Sequence, residues 1–115
     1  MTHQGAQAPE TEIEHLIEQA THRLIEAAHP EKIILFGSYA RGDFDARSDL
    51  DLLIILPEVE NRIDEMVRLR KALLDVPMAI DIIVYSAHGV EERRGLRGTT
   101  LYHALREGRV LHDAA

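Results

Sequence analysis

Residues 37–54 read GSYARGDFDARSDLDLLI. The apolar run Ile33-Ile34-Leu35-Phe36 leads into Gly37-Ser38. After a polar connection, Asp49 and Asp51 open a second apolar run, Leu52 to Leu56. Side chains alternate along a strand, so Asp49 and Asp51 share one face while Leu50, Leu52 and Ile54 take the other and can be buried. Two carboxylates at a strand's head add no stability of their own; the pair calls for a cation. A strand–turn–strand unit carrying a metal and phosphate site is therefore expected here.

Working outward, Thr11 to Ala28 reads as a helix, with Ile13, Leu16, Ile17, Ala20, Leu24 and Ala27 at three- and four-residue steps. His29-Pro30 ends it, because proline disfavours helical geometry in the residue before it. Lys32 to Phe36 is a short buried strand, and Ser38 to Arg41 makes one helical turn. Leu50 to Leu56 is the second strand. Helical periodicity returns over Val59 to Leu74 through Ile63, Met66, Val67, Leu73 and Leu74. Ala79 to Tyr85 is a third strand, followed by a helical segment near Ser86 to Arg93. Thr99 caps a last helix to about Glu107, Gly108 stops it, and Val110-Leu111 adds a terminal strand.

The order α-β-turn-β-α-β-α predicts an α/β (α+β) fold: a small mixed sheet with helices packed on it. The first two strands pair antiparallel. The second and third are joined through a helix, which implies parallel neighbours and a right-handed crossover. Residues 1–9 read as a loose polar tail and residues 10–115 as a single domain.

The composition sets the outer limits. A chain of 115 residues, 45% hydrophobic and 29% charged, has room for one ordinary folded core. Aromatics are 4% with no Trp, so stacking platforms for single-stranded nucleic acid are missing. Zero Cys excludes disulfides, thiolate catalysis and Cys-ligated zinc, and fits a reducing cytoplasm. No apolar run approaches membrane-spanning length, and the start lacks a signal-peptide pattern. A formal charge of −7 argues against an unaided grip on a phosphate backbone; it suits a basic protein partner or, equally, plain solvated helix faces.

The chemistry concentrates in three acids. Glycine at 37 lets backbone approach a ligand, and Ser38 can cap the turn or bind a phosphate oxygen. No Walker loop is present. Asp81 lies inside AIDIIVY, where an ionised acid is costly to bury unless paired or metal-bound. If the second and third strands are neighbours at ~4.8 Å, Asp81 lies beside Asp49 and Asp51. Each close carboxylate pair costs roughly 4 kcal/mol at 4 Å and an effective dielectric near 20. Magnesium would remove that penalty, and two ions ~3.5–4 Å apart would clamp a triphosphate. Taken singly, Asp49 is a turn residue, Asp51 a strand-edge acid and Asp81 a buried acid bonded to backbone; together with Gly37-Ser38 they point to a metal site.

Gly37-Ser38, ten residues, then Asp49-Leu50-Asp51 resembles the GSx10DxD signature of the minimal nucleotidyltransferases, in the polymerase-beta-like superfamily. Asp81 looks like that superfamily's third acid. The chain is most similar to the MNT antitoxins encoded beside HEPN toxins, through its length and its YHALREGRVL ending. The resemblance implies magnesium-dependent transfer of AMP from ATP to a hydroxyl, with release of pyrophosphate. In the antitoxins the acceptor is a tyrosine of the HEPN ribonuclease, which implies a hetero-oligomeric complex. Asp49 and Asp51 would hold both metals; Asp81 would bind the catalytic one and help deprotonate the acceptor. Gly37, Ser38, Arg41 and Ser48 would contact the nucleotide. Arg47 departs from the acidic or small residues usual just before Ser-Asp.

Two other functions fit the same pattern: transfer to a small hydroxylated molecule, as in antibiotic nucleotidyltransferases, and a module that neutralises its partner by contact alone. The first usually carries a second substrate domain. His15, His22 and His29 recur every seven residues, but seven helical residues rise ~10.5 Å, so neighbours cannot share one ion. Glu91 to Arg94 reads as a solvated helical face. Arg93, Arg94, Arg97, Arg106 and Arg109 form a basic C-terminal group, open to a contact with nucleotide or partner but expected first of all to lie at the surface.

Overall fold

The computed structural model describes residues 10–114; the expected tail at 1–9 lies outside them. Helix α1 (Glu10–Ala28) buries Ile13, Ile17, Ala20 and Leu24, the inward members of its periodic stripe. His29 then turns the chain at φ 47, and Pro30 is fully buried behind it, so the helix stops where the proline demands. His15, His22 and His29 are all exposed, as solvated positions should be.

Strand β1 (Lys32–Phe36), the single turn α2 (Ser38–Arg41) and strand β2 (Leu50–Leu56) follow with the expected bounds. Helix α3 spans Arg62–Ala72, shorter at both ends than the periodicity suggested. Asn61 holds extended geometry and its side chain accepts the Asp64 N–H, a cap that fixes the start. At the other end Leu73 to Pro77 folds into turns. Leu69 and Leu73 face the core, whereas Ile63, Val67 and Leu74 are exposed. Strand β3 (Ile80–Ser86) precedes α4 (Ala87–Arg93), capped by Ser86, and α5 (Thr100–Glu107), capped by Thr99. Strand β4 (Arg109–Asp113) closes the sheet.

The four strands lie in the order β3-β2-β1-β4. β1 is antiparallel to both β2 and β4, while β2 and β3 run parallel, as their helical connection requires. Strand alternation divides the core in two. Leu50, Leu52, Ile54 and Leu56 of β2 pack with Ile33, Leu35, Ile82 and Val84 beneath α1 and α3. Leu53 and Ile55 pack with Ile34, Val90, Leu101 and Ala104 beneath α4 and α5. β2 is thus covered on both faces, which explains its unbroken apolar run. Only at the head of β2, at Asp51, does the run open to a half-buried position on the second face.

Two contacts fasten the periphery. Arg109 donates to both carboxylate oxygens of Glu14 at 2.9 and 2.6 Å, tying β4 to α1. The Arg62 Nε–H donates to the Val84 carbonyl at 2.8 Å, and its guanidinium lies 4.5 Å from the centre of the Tyr85 ring. The C-terminal arginines are therefore scattered by function rather than gathered: Arg94 pairs with Glu91 on the exposed face of α4, and Arg106 lies over Tyr102. Among the described residues no helix is long and apolar enough to cross a membrane.

Candidate functional site

The strand register assembles the site. Phe36 of β1 is opposite Asp51 of β2, and Asp51 is in turn opposite Asp81 of β3. These odd- and even-numbered positions fall on one face by strand alternation, the face covered elsewhere by α4 and α5. Asp49 lies one residue before β2, beside the Leu50 N–H that bonds the Ala79 carbonyl at 2.9 Å. Asp51 is half-buried; Asp49 and Asp81 are exposed. Asp81 is therefore not the interior acid its apolar neighbours implied. It sits at the start of an edge strand, where the sheet gives it a wet face.

Electrostatics bind the three acids together. The Asp51 carboxyl is held above its ordinary value, first by burial, then by the charges of Asp81 and Asp49, with Arg41 opposing. The neighbouring hydroxyl of Tyr39 is also raised, by burial and by Asp45 and Asp49. Tyr39 stacks on Phe44 with ring centres 4.4 Å apart, which steadies the loop between the two motif halves.

Gly37 explains why the first motif half begins with glycine. Its backbone adopts φ 76, a region that disfavours side chains, and a Cβ there would overlap the Asp51 carboxylate. The chain thus passes directly against Asp51 and delivers Ser38 beside it. From this point a cleft of about 390 Å³ extends, floored by Phe36, Gly37 and Asp51 and walled on one side by Ser38, Ala40 and Arg41. The Arg41 Nε–H donates to Asp43 at 3.1 Å, a half-exposed pair that a stronger anion can displace.

Two expected site features take their own form in the structure. Ser48 does not line the cleft; its hydroxyl accepts the Asp45 N–H at 2.9 Å and closes the turn before β2, where the Arg47 N–H also bonds Asp45. Nor do the acids form a ready cage: among the described residues no three His, Cys, Asp or Glu side chains are grouped to hold an ion. The reason is chemical. Magnesium keeps several waters and takes one or two carboxylates plus substrate phosphates, so the protein need not supply a complete shell. The donor set itself fits: hard oxygen ligands, mutual repulsion on Asp51, and a glycine holding backbone clear of its carboxylate.

Sequence reading missed the second wall of the cleft. Thr100, His103 and Glu107 of α5 line it opposite α2, and His103 Nδ1 lies 3.6 Å from Glu107 Oε2. They lie far from the motif in sequence; only their helical spacing of three and four, beside the buried Leu101 and Ala104, marks them as one stripe.

A mixed sheet with Gly-Ser backed against a strand-borne acid pair defines a nucleotidyl-transfer fold, and comparison with known proteins agrees. The nucleotidyltransferase domain family matches residues 17–111, and this chain belongs to that family; it is a transferase that moves nucleotidyl groups. A Methanocaldococcus jannaschii protein provisionally named protein adenylyltransferase MJ0604 is 42% identical over 85 residues, 71% of this chain and 78% of that one. A second from that organism, provisionally named protein adenylyltransferase MJ0141, is 59% identical over 29 residues, 25% of this chain and 29% of its own. A crystal structure of a provisionally assigned nucleotidyltransferase from Sulfolobus solfataricus shares the fold at a TM-score of 0.58 and 22% identity, covering 96% of this chain and 94% of that chain.

Proposed function

We propose that this protein is a magnesium-dependent protein adenylyltransferase that moves AMP from ATP to a tyrosine hydroxyl of a HEPN ribonuclease toxin, and so acts as its antitoxin. The observation that carries the transfer chemistry is the adjacency of Asp51 and Asp81 on one sheet face, with Asp51 lining a cleft begun by Gly37 and Ser38. A relative's provisional name as a protein adenylyltransferase supports AMP as the group and a protein as the acceptor. The HEPN partner, the hetero-oligomeric complex and a cytoplasmic setting rest on the likeness to MNT antitoxins. The formal charge of −7 supports a protein acceptor over nucleic acid.

In this reading Ser38 and Arg41 bind the triphosphate and Asp49, Asp51 and Asp81 would hold two magnesium ions, which supply charge neutralisation at the α-phosphate. The acceptor oxygen attacks the α-phosphorus, the bond from that phosphorus to the β-bridging oxygen breaks, and pyrophosphate leaves. Asp81, the most open of the acids along the register, accepts the hydroxyl proton. Mass spectrometry of the partner after incubation with ATP tests this. A mass gain of adenylyl units that is absent with Asp49→Asn or Asp51→Asn supports it; neutralisation by the double variant without any adduct would replace it with a contact-only antitoxin.

A further inference from the structure

The α5 wall has no packing reason to be polar where it meets the cleft. Leu101 and Ala104 hold the helix on Ile34 and Leu53, while Thr100, His103 and Glu107 occupy the adjoining stripe. His103 and Glu107 are each more than half exposed and keep company with one another. With Nδ1 beside Glu107, Nε2 is the ring nitrogen left for a ligand. Arg41 stands on the opposite wall.

Sheet order says what that ligand is. Asp81 flanks Asp51 on the β3 side, whereas α5 packs on β1 and α2 on β1 and β2. Asp51 lines the cleft; Asp49 and Asp81 do not. Displacement at phosphorus is in line, so the entering hydroxyl and the leaving group lie on opposite sides of the reacting atom. If the acceptor enters over Asp81, the diphosphate end of the nucleotide must extend into the space between α2 and α5.

We propose that the α5 wall is a diphosphate-binding surface in which His103, braced by Glu107, hydrogen-bonds the β- and γ-phosphates and then the departing pyrophosphate, opposite Arg41. The assignment rests on the adenylyl-transfer reading above and adds to it the direction of the donor and the identity of its second wall. An imidazole N–H meets a phosphate oxygen as a hydrogen-bond donor, while the reacting α-phosphate stays over Asp51. Glu107 Oε2 lies 3.6 Å from Nδ1 and orients the ring so that Nε2 faces the ligand.

Calorimetric titration separates the possibilities, using magnesium-ATP, magnesium-pyrophosphate and AMP against the wild type, His103→Ala and His103→Lys. His103→Ala should weaken ATP and pyrophosphate about tenfold, the scale of one hydrogen bond to a charged group. AMP affinity should stay unchanged, and His103→Lys should recover most of the loss by restoring an N–H donor to phosphate. Melting temperatures close to wild type in both variants would show that the exposed ring is not holding the fold. Equal pyrophosphate affinity in wild type and His103→Ala overturns the wall assignment and leaves the transferase reading standing. A parallel loss of AMP also overturns it. A wild type that binds no nucleotide overturns both.

Discussion

Asp51 and Asp81 are direct register partners across the parallel β2/β3 pair, so two acids thirty residues apart in sequence share one row of the sheet. No protein cation bonds either of them among the described contacts, and Asp51 feels Asp81 as its largest charge perturbation. That row is where metal, donor and acceptor would meet.

Replacing an acid of this row should remove catalysis and spare the fold. Asp51→Asn is expected to reduce adenylyl transfer by more than the roughly 10–100-fold typical of losses around a metal's outer shell. Initial rates at saturating magnesium, with circular dichroism on the same samples, check this.

Repulsion also predicts a gain in stability. Asp81→Asn should raise the melting temperature without magnesium and lose the magnesium-induced rise. Asp81 is solvated, so the gain is below about 1 kcal/mol, and a few degrees at most for a domain of this size. Differential scanning calorimetry with and without the ion reads both effects; an unaltered magnesium response would separate Asp81 from the ion.

The pH dependence follows from the raised Asp51 carboxyl. Its folded-state value lies above the ordinary 3.8, so the folded protein binds the proton more tightly than the unfolded chain. Above the folded value the ionised Asp51 lowers stability; as pH falls from there toward 3.8 that penalty fades. Glu14 and Asp75 run the other way, being held low by Arg109 and Arg23, and their contribution is lost as pH falls through their depressed values. Asp51→Asn should therefore be more stable than wild type at neutral pH without metal, with the difference shrinking on acidification. Parallel melts of the two proteins across pH isolate the Asp51 part.

Gly37→Ala should damage site and fold together. The substitution places a Cβ against the Asp51 carboxylate and holds alanine at φ 76, ψ −156, a region essentially confined to glycine and costing roughly 1–3 kcal/mol before any clash. A lowered melting temperature with ATP binding lost is expected, and crystallographic comparison would show Asp51 displaced.

Arg109→Gln tests whether the basic C-terminal group serves the nucleotide. Arg109 is already committed to Glu14 across half-exposed side chains, so the variant should cost under about 1 kcal/mol. ATP affinity should not change. A large loss of ATP binding would return Arg109 to the site.

The sheet was readable because each strand carried its own punctuation: Pro30 before β1, Gly37 after it, Pro57 after β2, Pro77 before β3. Parallel pairing of β2 with β3 followed from the helix between them, and that pairing brought Asp81 to Asp51. The bounds of α3 were not readable from apolar spacing, because Ile63, Val67 and Leu74 keep helical periodicity while facing solvent; Asn61 was the better signal. Exposure of Asp81 was hidden by its neighbours, since a strand's end can be wet while its middle is buried. The turn bond from the Asp45 N–H to the Ser48 hydroxyl was not readable from the motif's spacing. His103 and Glu107 came into view only when α5 was laid against β1.

Arg62 has a consequence for how the molecule lives among its own copies. By bonding the Val84 carbonyl and lying on Tyr85, it plugs the outer margin of β3, where unpaired backbone would otherwise invite a foreign strand. Docking by strand addition is thus discouraged on the flank from which, in the proposed reading, an acceptor would approach Asp81. A client would then present its hydroxyl on a side chain reaching over that rim, which favours a protruding residue on a folded surface over an extended peptide.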